Sequence, residues 1–518
     1  MFSQSEWVLA VGCGPILLSL VKVWYESDLS RLKVFVTNTQ LTDMEELTEL
    51  LQHAQPNDTG VSLDILATAE GEVVNWEAVV QPFSFILYAC EPSDLEELRS
   101  LQAACRAEVK PLLSGISLRG MGIVGPLYRP DEDNCRESAW RRLHSSVFPA
   151  EGDIKDFSAT ATVTAMLSNL IVHEWHNVIS AEEEAHCLDQ CYILDPLTLE
   201  GGWHPILPHP FVSGYEPVRV VTDVELNHNL GADQEPAGTE EWFAFFSSLT
   251  STVTGIFHVW EEGGLNQLPL AQCLVQPADP LSEGPAQLLP AIVSSSLTHE
   301  EARRESGLAG LETYMTRMTP ILAAGIPSYQ QERGKMHIGA GCTFAEAVGR
   351  GLTARLTEEL GKRTLEHELV VTRAEYIRIE DVHCRYFLQA LSTLEGEPLL
   401  AVGEPLLGFP VVWVYSDDNW YGSAGLGITL ALRESLRKAL MQIGQSQVST
   451  VIWNDHKLQS GIIPSANPIG HTSWMLSAIE SLKQQHKRLE VFDMRCESFL
   501  KEGPFSVLGV QLREEEAI

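Results

Sequence analysis

Residues 8–15 read Val8-Leu9-Ala10-Val11-Gly12-Cys13-Gly14-Pro15: an apolar run that enters a tight glycine turn before a helical stretch. Glycines in such a turn let backbone N–H groups approach a phosphate at the helix N-terminus, as in dinucleotide-binding βαβ units. Working outward, Ile16–Tyr25 reads as helix, Lys33–Thr37 as strand, Met44–Ala54 as helix and Val61–Ala67 as strand. Phe85–Cys90 is an apolar strand, Asp94–Val109 a helix, and Pro111–Ser114 and Ile123–Leu127 are short strands. Strands alternating with helices predict a parallel sheet with crossover helices, an α/β Rossmann domain.

The fold signal of the turn is stronger than its binding signal. A working dinucleotide loop carries a third glycine, where this chain has Leu17. It also carries an acid at the end of the second strand to hold ribose hydroxyls, where this chain reads Phe35-Val36-Thr37-Asn38. Gly12 and Gly14 are therefore read as a vestigial nucleotide loop, with genuine nucleotide binding as the alternative.

The composition narrows the partners. The 518 residues carry a formal net charge of −35, with 44% apolar and 20% charged residues. Packed cores can form, and so acidic a surface repels phosphate backbones and anionic lipid. No nucleic acid and no membrane are expected as partners; a basic protein segment fits better, and plain solubility is the other reading of the charge. The ten cysteines contain no C-x-x-C pair, which argues against a zinc knuckle and a disulfide framework and for a reducing cytoplasmic setting. Trp7–Trp24, interrupted by Gly12, Gly14, Pro15 and Lys22, is neither a signal peptide nor a membrane span.

Further along, Val163, Leu167, Leu170 and Val178 share one face of a helix bounded by Ser158 and Ser180. Residues 186–225 are rich in Pro and His and read as an irregular connector, and Asn227–Glu241 as a linker or exposed loop. A second α/β region begins near Trp242, with helices over Thr298–Met318, Thr343–Leu360 and Thr429–Ile443.

In order, VLAVGCGP, LKVFVTNT, FILYACEP and CRAEVKPLLSGISLRGMGIVGPLY resemble a ThiF-like domain, similar to enzymes that adenylate a protein C-terminus. With CRESAWRRLH and HCLDQCYILDPLTLEGGWHPILPHP behind them, they resemble the ocin-ThiF-like F proteins of thiazole-containing bacteriocin maturation. The resemblance covers roughly residues 5–225. It implies a role in recruiting a precursor peptide rather than adenylation, since Thr37 and Asn38 replace the ribose-binding acid and Cys135 stands without the zinc-binding cysteine pairs. Members usually begin with a small winged-helix peptide-recognition domain; this sequence opens at the strand, so the expectation is either a separate leader-recognition domain or a truncated sequence.

The stretch Ser296-Leu297-Thr298-His299-Glu300-Glu301-Ala302-Arg303 through Tyr314, with Thr298 and Glu301 as a capping box, resembles the first helix of YcaO-like domains. Gly341–Glu358 resembles the second acidic helix, and Gly422–Gln442, preceded by Gly408-Phe409-Pro410-Val411, the third. Leu489–Asp493 with Val507–Val510 resembles the closing strands. YcaO enzymes use ATP to phosphorylate a backbone amide oxygen after a Cys, Ser or Thr side chain attacks the carbonyl, and carboxylates on these helices hold Mg²⁺. On this sequence the resemblance puts Ala309 where one Glu belongs and keeps Glu312 as the lone remaining acid. It puts Ala354 and Thr357 at the two acidic positions of the second helix, Lys438 at that of the third, and Ser295 where a lysine belongs. The Lys438 charge would repel Mg²⁺, and Glu358 and Glu359 could serve only if the register moved by one residue.

Other candidates are weaker. His173-Glu174-Trp175-His176 lacks metalloprotease spacing; Cys187, Cys191, His204 and His209 match no standard zinc pattern; Asp417-Asp418-Asn419 reads as a turn between strands.

The expectation is thus an α/β chain: a ThiF-like Rossmann domain over 1–185 with a mostly parallel sheet, a connector over 186–241, and a degenerate α+β YcaO-like domain over 242–518. Its expected role is a non-catalytic cytoplasmic partner protein for an active YcaO cyclodehydratase and its precursor peptide. A homodimer is a further expectation. No catalytic residue, metal or cofactor is expected; the alternative is an ATP- and Mg²⁺-dependent cyclodehydratase or adenylating enzyme with displaced ligands.

Overall fold

The structure is a computed structural model describing residues 7–27, 29, 31–54, 65–67, 74–91, 94–130, 136–149, 160–180, 185–231, 238–331, 336–444, 451–454, 459–466 and 471–514. The chain divides into two compact units: Met1–Gly214 with Ser251–Ile256 and Ser282–Leu288, and Tyr215–Thr250 with Phe257–Leu281 and Leu289–Ile518.

The first unit is built on strands β1 (Val8–Cys13), β2 (Leu32–Val36), β3 (Ile65–Ala67), β4 (Phe85–Cys90), β5 (Leu112–Leu118), β6 (Met121–Val124), β7 (Gln190–Leu194) and β8 (Gly201–Pro205). They form one eight-stranded sheet in the order β3-β2-β1-β4-β5-β6-β7-β8. The strands from β3 through β5 run parallel, and β6, β7 and β8 follow antiparallel. Helices α1 (Gly14–Glu26), α2 (Met44–Ala54), α3 (Trp76–Val80), α4 (Leu95–Ala107), α5 (Arg136–Arg142) and α6 (Ala161–Ser180) connect them in sequence, and α7 (Pro210–Ser213) follows β8.

Strand alternation sorts β1 between two cores. Val8 and Ala10 join Ile16, Leu17, Trp24, Leu167 and Trp175 beneath α1 and α6. Leu9 and Val11 join Tyr88, Leu98, Leu101 and Cys105 beneath α4. Leu17, in the third-glycine position, is a core residue. Of the expected strand Val61–Ala67, Ile65–Ala67 is observed and 61–64 lie outside the described residues, as do Ser158 and Cys135.

The stretch read as an irregular connector is ordered structure. Cys191 and Leu194 are buried, Tyr192 packs edge-on to Trp203 across the β7–β8 pair, and Leu199 takes a left-handed φ of 59° in the turn between them. Antiparallel strands this short, bounded by Pro and His, present too few residues for their alternation to be seen in sequence. Two later pieces of chain also belong to the first unit. The buried His144 ring sets Nδ1 3.1 Å from the Thr252 carbonyl and Nε2 2.8 Å from that of Gly255. Ser145 N–H donates to the Ala286 carbonyl and Ala286 N–H to that of Leu143, at 2.8 and 2.7 Å.

The second unit holds β9 (Arg219–Val221), β10 (Phe257–Glu261), β11 (Ala271–Pro277), β12 (Ile292–Ser296), β13 (His337–Gly341), β14 (Leu369–Ile379), β15 (Leu399–Gly403), β16 (Val411–Ser416), β17 (Asn419–Ala424), β18 (Val451–Trp453), β19 (Gln459–Ile463), β20 (Lys487–Asp493) and β21 (Ser506–Glu514). They make a three-stranded sheet β10-β11-β12, a four-stranded sheet β13-β21-β20-β9 and a six-stranded sheet β17-β16-β15-β14-β18, with β19 also on β14. Its helices are α8 (Asp223–Gly231), α9 (Thr239–Ser248), α10 (His299–Leu322), α11 (Pro327–Gln331), α12 (Phe344–Glu366), α13 (Val382–Leu394), α14 (Ile428–Leu440), α15 (His471–Gln484) and α16 (Ser498–Glu502). Thr298 caps α10 through the Glu301 N–H and Thr343 caps α12 through the Glu346 N–H, each at 3.2 Å. β9 and α8 lie within 186–241, so the expected connector supplies strands to both units.

Candidate functional site

In the first unit the glycines are demanded by backbone approach. Gly12 has φ +148° and Gly14 φ +76°. A Cβ on Gly12 would lie 1.8 Å from the Ala89 carbonyl oxygen, and one on Gly14 2.3 Å from that of Glu91. No side chain fits either place, with or without a nucleotide. The N–H of Gly14 donates to Thr42 Oγ1 at 3.0 Å. Thr42 is buried and held in turn, its hydroxyl donating to the Asn38 carbonyl at 2.8 Å. Asn38, at the ribose-acid position, accepts from the Gln40 and Leu41 N–H groups with its own side chain. A neutral hydroxyl thus takes the Gly14 N–H at this turn.

Beside this turn, Cys13 and Cys90 face each other across the β1–β4 pair with Sγ atoms 3.1 Å apart. The hydrogen bond from Cys90 lowers the Cys13 thiol from its ordinary value against the opposing effect of burial, and the bond to Cys13 with burial pushes Cys90 up. Tyr88 donates to Glu97 at 2.9 Å at the edge of the same group. Burial raises the Glu97 carboxyl, which that bond only partly offsets.

In the second unit the three acidic helices predicted from sequence correspond to α10, α12 and α14. Glu312 is present but committed: its Oε1 accepts from Ala340 N–H at 3.0 Å and from Arg350 Nε at 2.6 Å, and its Oε2 from Arg350 Nη2 at 3.0 Å. Three further acids, missed in the sequence, stand with it. Glu305 pairs with Arg350 and, at 3.2 Å, with Arg304. Glu346 accepts from Arg304 Nη2 at 2.6 Å and from Cys342 N–H at 2.9 Å. Glu434 takes both Nε and Nη2 of Arg437 at 2.7 Å, while Arg437 Nη1 donates to Ser295 Oγ at 2.9 Å.

A shift of one helical turn explains the miss for Glu305 and Glu434. Glu305 lies four residues before Ala309, Glu434 four before Lys438, and Arg350 four before Ala354. Residues four apart share a helix face, so charge is kept on each helix face one turn nearer its start. Looking one turn back would have found it. Ala354 and Thr357 are exposed. Glu358 pairs with His337 and Lys362, and Glu359 with Arg355, so neither joins the network.

The electrostatics are those of a network neutralised from within. Desolvation raises the Glu305 carboxyl, but Arg350 and Arg304 outweigh it and leave it below its ordinary value. Glu434 follows the same pattern under Arg437 and Lys438, with the negative charge of Glu305 pushing the other way. Desolvation pulls Lys438 down, and Glu434 only partly restores it; its Nζ donates to the Gly422 carbonyl at 3.0 Å. Glu305 and Glu434 nonetheless keep 37% and 38% of their side-chain surface open to solvent, so water reaches the network. Four acids face three arginines and a lysine, so the formal charges of the network balance. Among the described residues no group of three or more His, Cys, Asp or Glu is arranged to hold a metal ion.

The lesser candidates resolve locally. Glu174 is buried and accepts from the Cys187 N–H at 2.9 Å. Cys187 and Cys191 are buried thiols pushed up by burial, His204 stands opposite Cys191 in β8, and His209 caps α7 by accepting from Phe211 N–H at 3.3 Å. Asp417 and Asp418 form the β16–β17 turn at φ 46° and 59°. Among the described residues no helix is long and apolar enough to cross a membrane.

Solved structures share the fold. One, described as a heterocyclase in complex with substrate and cofactor, matches over 98% of this chain and 80% of its own at 11% identity, TM-score 0.57. Another, the heterocyclase TruD, matches over 99% of this chain and 80% of its own at 13% identity, TM-score 0.54. The chain therefore has the expected fold class, a mostly parallel α/β sheet followed by an α+β region, and shares it with these two structures. No family model matches the sequence, and neither does any curated protein.

Proposed function

We propose that the chain acts in the maturation of a ribosomally made peptide whose Cys, Ser or Thr residues become thiazoles or oxazoles. In this reading it is a cytoplasmic, non-catalytic partner: its ThiF-like part recruits the precursor peptide, and its YcaO-like part docks an active YcaO cyclodehydratase. Gly12 and Gly14 are a vestige, and Glu312 is a retained acid turned to structural use. The observation that carries the reading is the Glu305–Arg350–Glu312 arrangement, in which a guanidinium stands as the counter-charge of the carboxylates. An arginine fork satisfies two carboxylates without a metal. The fold shared with two heterocyclases supports the peptide-modifying context.

The decisive experiment places the purified full chain with Mg²⁺ and ATP and follows phosphate release and thermal unfolding. Neither turnover nor a magnesium-dependent shift is expected, because ligand binding would raise apparent stability by mass action. Added to an intact YcaO cyclodehydratase encoded nearby and its precursor, the chain is expected to increase heterocycle formation. The rival reading, an ATP-dependent enzyme with displaced ligands, draws on the solvent-reachable Glu305 and Glu434. Magnesium-dependent ATP turnover by the chain alone would establish that rival.

A further inference from the structure

Outside the carboxylate network, the closest pair of reactive side chains among the described residues is the two thiols at the glycine turn. Cys13 and Cys90 are direct partners in the parallel β1–β4 register, their Sγ atoms are 3.1 Å apart, and neither is joined in a disulfide. Neighbouring strands run about 4.7–4.9 Å apart, inside the roughly 4.4–6.8 Å Cα separation that a disulfide spans. A closing movement of about 1 Å brings the sulfurs to the bond length of about 2.05 Å. We propose that Cys13 and Cys90 form a reversible redox staple, which a small hydroperoxide closes and a dithiol opens, across the glycine turn of the first unit.

The chemistry balances. The Cys13 thiolate attacks one peroxide oxygen, becoming a sulfenic acid as the second oxygen leaves as water with the thiol's proton. The Cys90 sulfur then displaces the sulfenic hydroxyl, its own proton completing a second water. Two thiols lose two electrons and two protons, and the peroxide takes up both. Cys13 is the attacking thiol because it stands at the start of α1, where a thiolate is favoured, and its hydrogen bond from Cys90 acts in the same direction. The pairing is local: the next described cysteines in the first unit, Cys105, Cys187 and Cys191, sit in buried positions on other elements. Burial of both sulfurs at 3% and 1% exposure restricts the reaction to a small oxidant entering as the turn opens. Once closed, the bond ties together the strand ends at which Gly12 and Gly14 lean on Ala89 and Glu91.

The test uses the folded full chain. It is treated with hydrogen peroxide, quenched into acidic denaturant with a thiol-blocking reagent, and cleaved with trypsin. Cys13 and Cys90 fall in separate peptides, residues 1–22 and 34–99, each holding a single cysteine. The expected product is these two peptides joined, lighter than their sum by two hydrogens, and separated again by a dithiol. The oxidised chain is expected to unfold at a higher temperature, and dithiol to reverse the shift. Cys90→Ala is expected to abolish both signals. Recovery of the two peptides unlinked, linkage of either to another cysteine, or a thermal shift that persists in Cys90→Ala would overturn the proposal.

Discussion

The glycine turn of the first unit and the carboxylate network of the second are the two places that resemblance marks for a nucleotide, and the two are held by different physics. The turn is held sterically: carbonyl oxygens of the adjoining strand stand where any Cβ would go, and a neutral hydroxyl takes the loop's Gly14 N–H. The network is held electrostatically, by guanidinium groups on carboxylates that water still reaches. A steric arrangement is part of the fold and tolerates no side chain at Gly12 or Gly14. An electrostatic one depends on single side chains and can be altered one residue at a time.

The strongest test of that contrast is Gly12→Val. With an oxygen 1.8 Å from the new Cβ and φ at +148°, the first unit is expected to lose its fold, a cost above ~4 kcal/mol, seen as insoluble protein or a lost unfolding transition. A stable Gly12→Val chain would remove the steric half of the comparison. Next in size, Arg350→Ala leaves Glu305 and Glu312 facing each other without their shared cation. Because more than a third of Glu305 is open, the cost is expected near 2–3 kcal/mol rather than the ~3–5 of a dry pair, read from denaturant unfolding. The sharper signature is a gained response: millimolar Mg²⁺ or Mn²⁺ should stabilise Arg350→Ala and leave the parent chain unchanged. Thr42→Val takes the acceptor from Gly14 N–H and is expected to cost ~1–3 kcal/mol, with no new Mg-ATP effect on the melting curve.

The smallest effect is a pH dependence at the rim of the network. Glu301 is held down to about 2 from 4.5, first by its bond with His383 and then by Ser296, against the opposing effect of burial. A depressed carboxyl contributes stability that is present above its unfolded value and lost as pH falls through its folded one. Unfolding midpoints should therefore decline between pH 4.5 and about 2, and Glu301→Gln should flatten that limb. An unchanged acid limb in the variant would show that the His383 contact contributes nothing in solution.

How legible these features are in sequence follows from their range. The strand ends and helices of residues 8–118 can be read because apolar strands, glycine turns and crossover helices are local patterns. β7 and β8 cannot, since the Tyr192–Trp203 contact that orders them is made across strands. Glu305, Glu346 and Glu434 escape a position-by-position reading because that reading asks whether one site keeps its acid. The fold asks only that the helix face keep its charge, and Ala309 and Lys438 do not report on the turn beside them. Thr42 is invisible for a similar reason: nothing around it in sequence shows that Gly14, twenty-eight residues earlier, is its donor.

The return of Ser251–Ile256 and Ser282–Leu288 to the first unit bears on how this chain could be cut or recombined. A fragment ending at 241 would carry the whole eight-stranded sheet, yet leave the His144 ring without either carbonyl it now faces and Leu143 and Ser145 without their Ala286 backbone partner. The halves are interlaced along the thread. An ancestor that joined two genes end to end would have had to surrender this independence afterwards, and a laboratory swap of the second half must bring those two short stretches along or forfeit the first.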